Sequence, residues 1–237
     1  MNEKKKFISN VNKHLIKYFG IPDRQKPLLD PLDTLIATIL SQNTNDNNSF
    51  RAYKNLKDRF SSWDQLLNVN RASIEKLIKV GGLAKQKSAA IKNLIKHLVA
   101  DNDIKLKSIL KMNEEDALNY LTNFNGIGVK TASCVLLFSL DKNICPVDTH
   151  VHRTVNRIGI VNEKTPDKTF YSLNKILPDG AAHSFHTNLI RLGREICKPT
   201  KPSCSICPLE KICRFDHKNF SGSTNRSEKS LMLLDNV

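Results

Sequence analysis

Cys197, Cys204, Cys207 and Cys213 follow the spacing CX6CX2CX5C in a stretch broken by Pro199, Pro202 and Pro208. The prolines exclude a long helix there, and four cysteines so close together on a loop suit one metal centre. Tetrahedral zinc and a 4Fe-4S cluster both take four thiolates, so ligand type alone leaves both open. Cys134 and Cys145 lie elsewhere and read as small buried thiols rather than ligands.

A second kind of chemistry is offered by the segment LTNFNGIGVKTASCVLLFSL, which sets a glycine turn directly before a helix. Free amides and the positive end of the dipole at a helix start suit an anion such as a phosphate. Gly126 and Gly128 permit positive φ and close backbone approach, and Ile127 between them can turn inward to pin the turn to the core. An ordinary corner between two helices would use the same glycines. Lys130 falls in the first turn of the following helix, where the dipole disfavours a cation. A desolvated lysine becomes a neutral amine able to attack an electrophilic sugar carbon, whereas a solvated one would only grip phosphate. In CPVDTHVHR, Asp148 sits at the N-cap or first turn of an amphipathic helix. A fixed anion there can stabilise an oxocarbenium-like sugar and take part in proton transfers; a plain cap would carry the same residue. Thr149 and His150 brace that helix start.

These residues need helices to place them, and the apolar pattern supplies helices almost throughout. Ile8, Val11, Leu15 and Tyr18 form one stripe; Leu32, Leu35, Ile36, Ile39 and Leu40 another; Ile91, Leu94, Ile95 and Leu98 a third. Further stripes run through Val147, Val151, Val155 and Ile158, and through Ala182, Phe185, Leu189, Leu192 and Ile196. No segment of useful length alternates like a strand, so the expected fold is all-α. Asp30 before Pro31, and Asn113 before Glu114, Glu115 and Asp116, mark helix starts. Gly81 and Gly82 make an earlier glycine turn between two helices. Beyond Cys213 the chain turns small and polar, apart from the run LMLL, and residues 214–237 are expected to be disordered.

With 237 residues and 40% hydrophobic content the chain can bury one substantial core or two small ones. Its formal net charge of +14, from 37 Lys and Arg against 23 Asp and Glu, attracts a polyanion by counterion release. Nucleic acid is the leading partner, although scattered lysines also serve solubility. No apolar stretch behind MNEKKKF is long enough for a signal sequence or membrane span, so the expected location is cytoplasmic, without membrane association. In that compartment six cysteines point to metal rather than disulfides.

Together these features resemble the endonuclease III family of the helix-hairpin-helix DNA glycosylase superfamily, over residues 28 to 213 in matching order. The resemblance rests on DPLDTLIATILSQNTND, GGLAKQKSAAI, FNGIGVKTASCVL, PVDTHVHRTVNRIG, LGREIC and the cysteine loop. It implies a 4Fe-4S cluster on the four cysteines, Lys130 as nucleophile and Asp148 as the catalytic carboxylate. It also implies a two-lobed helix-hairpin-helix fold, with residues 32–142 as one lobe and residues 1–31 with 143–213 as the other. A monomer would engage double-stranded DNA at the cleft between them, contacting it through Gly81, Gly82, Gly126, Ile127 and Gly128. Flipping is required because the target bond is buried in the stacked duplex. For bifunctional members the implied chemistry is attack by lysine, loss of a damaged base such as an oxidised pyrimidine, a Schiff base, and β-elimination at the abasic site. One departure stands out: Asn43 replaces the glutamine that commonly fills the gap left by the flipped nucleotide, and this shorter amide reaches less far. Asp46 matches an acidic position whose expected role is bracing. A mismatch thymine or uracil glycosylase on the same scaffold is the nearest rival. Lys130 argues against the adenine-removing relatives, which usually lack that lysine and carry an extra carboxyl-terminal domain. The oxidised-purine relatives keep the lysine but generally lack the cysteine loop. A non-enzymatic DNA-binding module would have no use for Lys130 and Asp148 together.

Overall fold

The structure is a computed structural model that describes residues 3–221 and 233–235. Its regular elements are helical: α1 (Glu3–Phe19), α2 (Pro31–Leu40), α3 (Asp46–Arg59), α4 (Arg71–Ile78), α5 (Ala84–Ala100), α6 (Glu114–Thr122), α7 (Val129–Phe138), α8 (Thr149–Ile158), α9 (Pro166–Asn174) and α10 (Ala182–Arg191). Among the described residues there is no strand, which makes the fold all-α as expected. No helix among them is long and apolar enough to cross a membrane.

The chain divides into two compact units, one of residues 1–24 and 142–230, the other of residues 25–141 and 231–237. In the second unit α2 is the central helix. Its residues from Thr34 to Leu40 are all buried, and a helix apolar on every side belongs inside a core. It packs on α3, α5 and α7, while α4 packs on α5 and α6 on α7. Two buried threonines are satisfied within the core: Thr38 Oγ1 donates to the Thr34 carbonyl at 2.7 Å, and Ser139 Oγ, just past α7, donates to Thr34 Oγ1 at 2.9 Å. Asp30 starts this helix by accepting from the amides of Leu32 and Asp33, so the stretch before α2 groups with it. Asn113 caps α6 in the same way.

The first unit joins α1, α8, α9 and α10. α1 lies on α10 through Ile8, Val11 and Leu15, and α8 packs on α9 and α10 through Val151, Val155 and Ile158. Past α10 the chain does not continue as an α-helix. Leu192–Ile196 form a single π turn, a local widening that the apolar stripe from Ala182 to Ile196 does not announce.

Of the tail expected to be disordered, residues 222–232, 236 and 237 lie outside the described residues. Where it is described it is held in place: residues 214–221 return onto α8 and the cysteine loop, the Arg214 amide donating to the Ile158 carbonyl at 3.3 Å and Lys218 Nζ to the Glu210 carbonyl at 2.8 Å, and residues 233–235 form a short 3-10 turn against α2 and α3, with Leu233 only 5% exposed. The Leu233 amide donates to Asp46 Oδ2 at 3.0 Å, so the brace expected of Asp46 is directed at this returning segment.

Candidate functional site

In the unit built on α2 to α7, three turns carry the residues singled out by chemistry. The first joins α6 to α7. Gly126 adopts φ +85°, and a Cβ there would lie 2.8 Å from the Ala90 Cβ, so both conformation and space require glycine. Ile127 is buried and pins the turn inward. Gly128 does not use the positive φ open to it: at φ −94° it is extended, in a conformation open to any residue. A Cβ at Gly128 would meet nothing of this chain within 4 Å, so the missing side chain leaves open space directly at the helix start. α7 has no side-chain cap and no acidic residue in its first turn, which leaves its leading amides facing that space. Lys130 stands half-buried in this first turn, with no ion pair for its ammonium among the described residues.

The second turn follows α2. Gln42 Nε2 donates to the Gly126 carbonyl at 2.9 Å, tying this turn to the first. Asn43 next to it is exposed and held at φ +51°, a left-handed conformation that asparagine tolerates better than most residues. The third turn, between α4 and α5, has Gly82 at φ +68° and Leu83 at φ +50°. Leu83 is 44% exposed, an apolar side chain displayed at the tip of a turn. Inspection of the sequence picked out Gly81 and Gly82 but not Leu83. Its signal was an apolar residue directly after a glycine pair and outside the stripe of the following helix. Behind these two turns sits Lys87, fully buried, which looks in sequence like one more surface lysine in AKQKS.

In the unit built on α1 and α8 to α10, Asp148 is the N-cap of α8. Its Oδ1 accepts from the Val151 amide at 2.7 Å, and the residue is half-exposed. Two side chains from distant sequence fix the segment leading into it. Asn174 clamps Cys145 from both sides, accepting from its amide at 2.7 Å and donating to its carbonyl at 3.1 Å. Buried His186 donates through Nδ1 to the Pro146 carbonyl at 2.9 Å. Neither clamp was visible as a local motif. His150, in the first turn of α8, is half-buried, and burial pushes its pKa below the ordinary imidazole value while the Asp148 carboxylate pulls it back. Gly193 of the π turn presses against it: a Cβ there would lie 2.8 Å from the His150 Cβ. Arg153 then bridges α8 to the next segment, donating to the Gly193 carbonyl at 2.8 Å and the Cys197 carbonyl at 3.0 Å.

All six cysteines are free, and Cys134 and Cys145 are buried as expected. The other four form one neighbourhood. Burial pushes the Cys207 thiol up to about 12, with further contributions from Cys197, Cys213 and Cys204, and burial also raises Cys213. The backbone at Leu209 and Phe215 hydrogen-bonds to these two sulfurs and opposes the rise. Arg157 gathers the loop: Nη1 lies 3.5 Å from Cys197 Sγ and 2.7 Å from the Lys198 carbonyl, and Nη2 donates to the Pro199 carbonyl at 2.8 Å. Among the described residues no three His, Cys, Asp or Glu side chains converge as a site for one metal ion.

An uncapped helix start after a glycine turn, with a lysine in its first turn, can hold a phosphate on its free amides and place an amine beside it. The family model for HhH-GPD superfamily base excision DNA repair proteins matches residues 36–179. Endonuclease III of Thermotoga maritima is 33% identical over 223 residues, covering 94% of this chain and 100% of its own length. Endonuclease III of Rickettsia conorii is 32% identical over 181 residues, covering 76% of this chain and 82% of its own. Among solved structures, a trapped endonuclease III–DNA covalent intermediate superposes with a TM-score of 0.76 at 27% identity, covering 89% of this chain and 95% of the other. The chain belongs to the endonuclease III family, and it is a DNA glycosylase of base excision repair.

Proposed function

We propose that this glycosylase is bifunctional: it removes damaged pyrimidines from double-stranded DNA and cleaves the resulting abasic site by β-elimination. The observation that carries the reading is Lys130 in the first turn of an uncapped α7, behind open space at Gly128. The amides of that turn hold a DNA phosphate, and Lys130 Nζ attacks the anomeric carbon of the flipped nucleotide. The glycosidic bond breaks with its electron pair going to the base, which leaves with a proton. The sugar ring then opens to an imine on Lys130; loss of a proton from the adjacent carbon expels the 3′ phosphate. Asp148 stabilises the positive charge that develops on the sugar and assists the proton transfers. A covalent protein–DNA species of this kind is what the trapped endonuclease III complex is named for.

The readings for the remaining residues follow from their placement. Asn43 and Leu83 are left-handed, exposed turn residues, and we assign them to the space vacated by the flipped nucleotide. Apolar side chains inserted between base steps act as wedges in other DNA-bending proteins. Cys197, Cys204, Cys207 and Cys213 are assigned as the ligands of a 4Fe-4S cluster. Their CX6CX2CX5C spacing, which resembles the cysteine loop of the endonuclease III family, supports a cluster over a single zinc. The Arg157 and backbone donors around the sulfurs suit a cluster, whose potential such hydrogen bonds set. When bound, the cluster supplies a cross-link that orders a loop gripped by α8, and a redox-active centre. The enzyme is proposed to act as a monomer in the cytoplasm, a compartment that keeps cysteines reduced and available to a metal centre.

The direct test is excision and strand cleavage on duplexes carrying thymine glycol, uracil opposite guanine, thymine opposite guanine, or an abasic site. Thymine glycol and the abasic site are the expected substrates. Preferred release of thymine or uracil opposite guanine would replace the oxidised-pyrimidine reading with a mismatch glycosylase, and binding without cleavage of any duplex would overturn the enzymatic one.

A further inference from the structure

A lysine with 2% exposure and, among the described residues, no carboxylate partner is an expensive core residue, since a buried charge is costly unless paired and hydrogen-bonded. Lys87 offsets part of that cost through two backbone carbonyls. Its Nζ donates to the Leu40 carbonyl at 2.7 Å and to the Gly81 carbonyl at 2.8 Å. Leu40 ends α2, where carbonyls lose their helical partners, and among the described residues no backbone amide donates to either oxygen. An aliphatic side chain would fill the same volume but strand both carbonyls in the core.

The two carbonyls belong to the two turns whose tips project. Leu40 precedes Ser41, Gln42 and Asn43; Gly81 precedes Gly82 and Leu83. Asn43 at φ +51° and Leu83 at φ +50° both hold left-handed conformations that are unfavourable for a non-glycine residue and persist only where their surroundings dictate them. Among the described residues Lys87 is the one side chain bonded to both turns, and burial lowers its pKa to about 8, a cost that simple packing would avoid with an apolar residue. We propose that Lys87 is a positioning residue that locks the Asn43 and Leu83 turns together as one rigid wedge, so that the enzyme can open a base pair instead of only accepting an already unpaired base. The proposal rests on the assignment of Asn43 and Leu83 to the vacated space.

The test compares single-turnover excision of one damaged base in two contexts, paired in a duplex and placed in a short unpaired bubble. The ratio of the two rates in one preparation cancels the fraction of active enzyme, so a loss of stability alone leaves it unchanged. Lys87→Met should lower the paired-to-bubble ratio about tenfold, a part of the unpairing cost that flipping must meet, with bubble excision within about threefold of wild type. Gly81→Ala is a second, milder variant that keeps the lysine. Its Cβ would lie 3.3 Å from the Ala52 Cβ and push the turn by a few tenths of an ångström, and it should lower the same ratio at least about threefold. An unchanged ratio in both variants overturns the proposal while leaving the site reading intact, because wild type still excises. Excision by wild type from neither context overturns both.

Discussion

Replacing Asp148 by Asn separates what this residue does for the fold from what it does for the sugar. As N-cap of α8 it accepts one hydrogen bond, from Val151 at 2.7 Å, and an asparagine oxygen can accept the same bond. Asn and Asp rank equally as caps, so the stability loss reduces to the charge at the positive helix end, about 0.3–1 kcal/mol. At about 2–4 °C per kcal/mol for a chain of this size, Tm should fall by no more than about 4 °C. The chemical loss is larger. A unit anion about 4 Å from a developing cation, at an effective dielectric of about 20 to 40 for a half-exposed group, is worth about 2–4 kcal/mol. That corresponds to a fall of about 30- to 1,000-fold in the excision rate. Single-turnover excision on a thymine glycol duplex, run beside thermal unfolding of the same preparation, measures both. Asp148→Ala should lose the rate to a similar degree and roughly 1 kcal/mol more stability. An Asp148→Asn enzyme within threefold of wild type, or one whose activity falls only in step with its folded fraction, would refute the catalytic role and leave Asp148 as a cap.

The two glycines of the α6–α7 turn should behave oppositely. Gly126→Ala forces a side chain into φ +85° and against Ala90, and should destabilise by at least about 1–2 kcal/mol, read by denaturant unfolding. Gly128→Ala should leave stability within about 0.5 kcal/mol of wild type but weaken duplex binding, measured by fluorescence anisotropy, because its Cβ enters space this chain leaves open. Aerobically or anaerobically purified protein should be yellow-brown with iron at about four per chain, and Cys207→Ser should lose iron and weaken DNA binding; one zinc and no iron in an anaerobic preparation would contradict the cluster assignment.

Much of this arrangement was legible in sequence because it is local. Helical stripes fix which faces are buried, and Asp30, Asn113 and Asp148 announce helix starts through a hydrogen bond that spans two or three residues. Ile127 could be placed inward for the same reason. What escaped depends on contacts between segments far apart in the chain. His186 and Asn174 hold Pro146 and Cys145 from α10 and α9, and nothing in CPVD signals either partner. Lys87 looks like a solvated lysine until the carbonyls of Leu40 and Gly81 are brought to it. Of the two uses glycine offers at position 128, positive φ and close backbone approach, sequence alone could not choose: the backbone is extended, and the empty space beside it fits the second. The π turn at Leu192–Ile196 escaped because a widened turn keeps nearly the same apolar spacing as the helix before it.

The most direct measurement is borohydride trapping on abasic duplex DNA with wild-type protein and Lys130→Gln. The wild type should yield a covalent protein–DNA adduct, because reduction captures the imine between Lys130 and the sugar. Lys130→Gln should abolish the adduct and strand cleavage while retaining DNA binding, since the amides at the α7 start are untouched. An adduct formed by Lys130→Gln at the wild-type rate would place the nucleophile elsewhere.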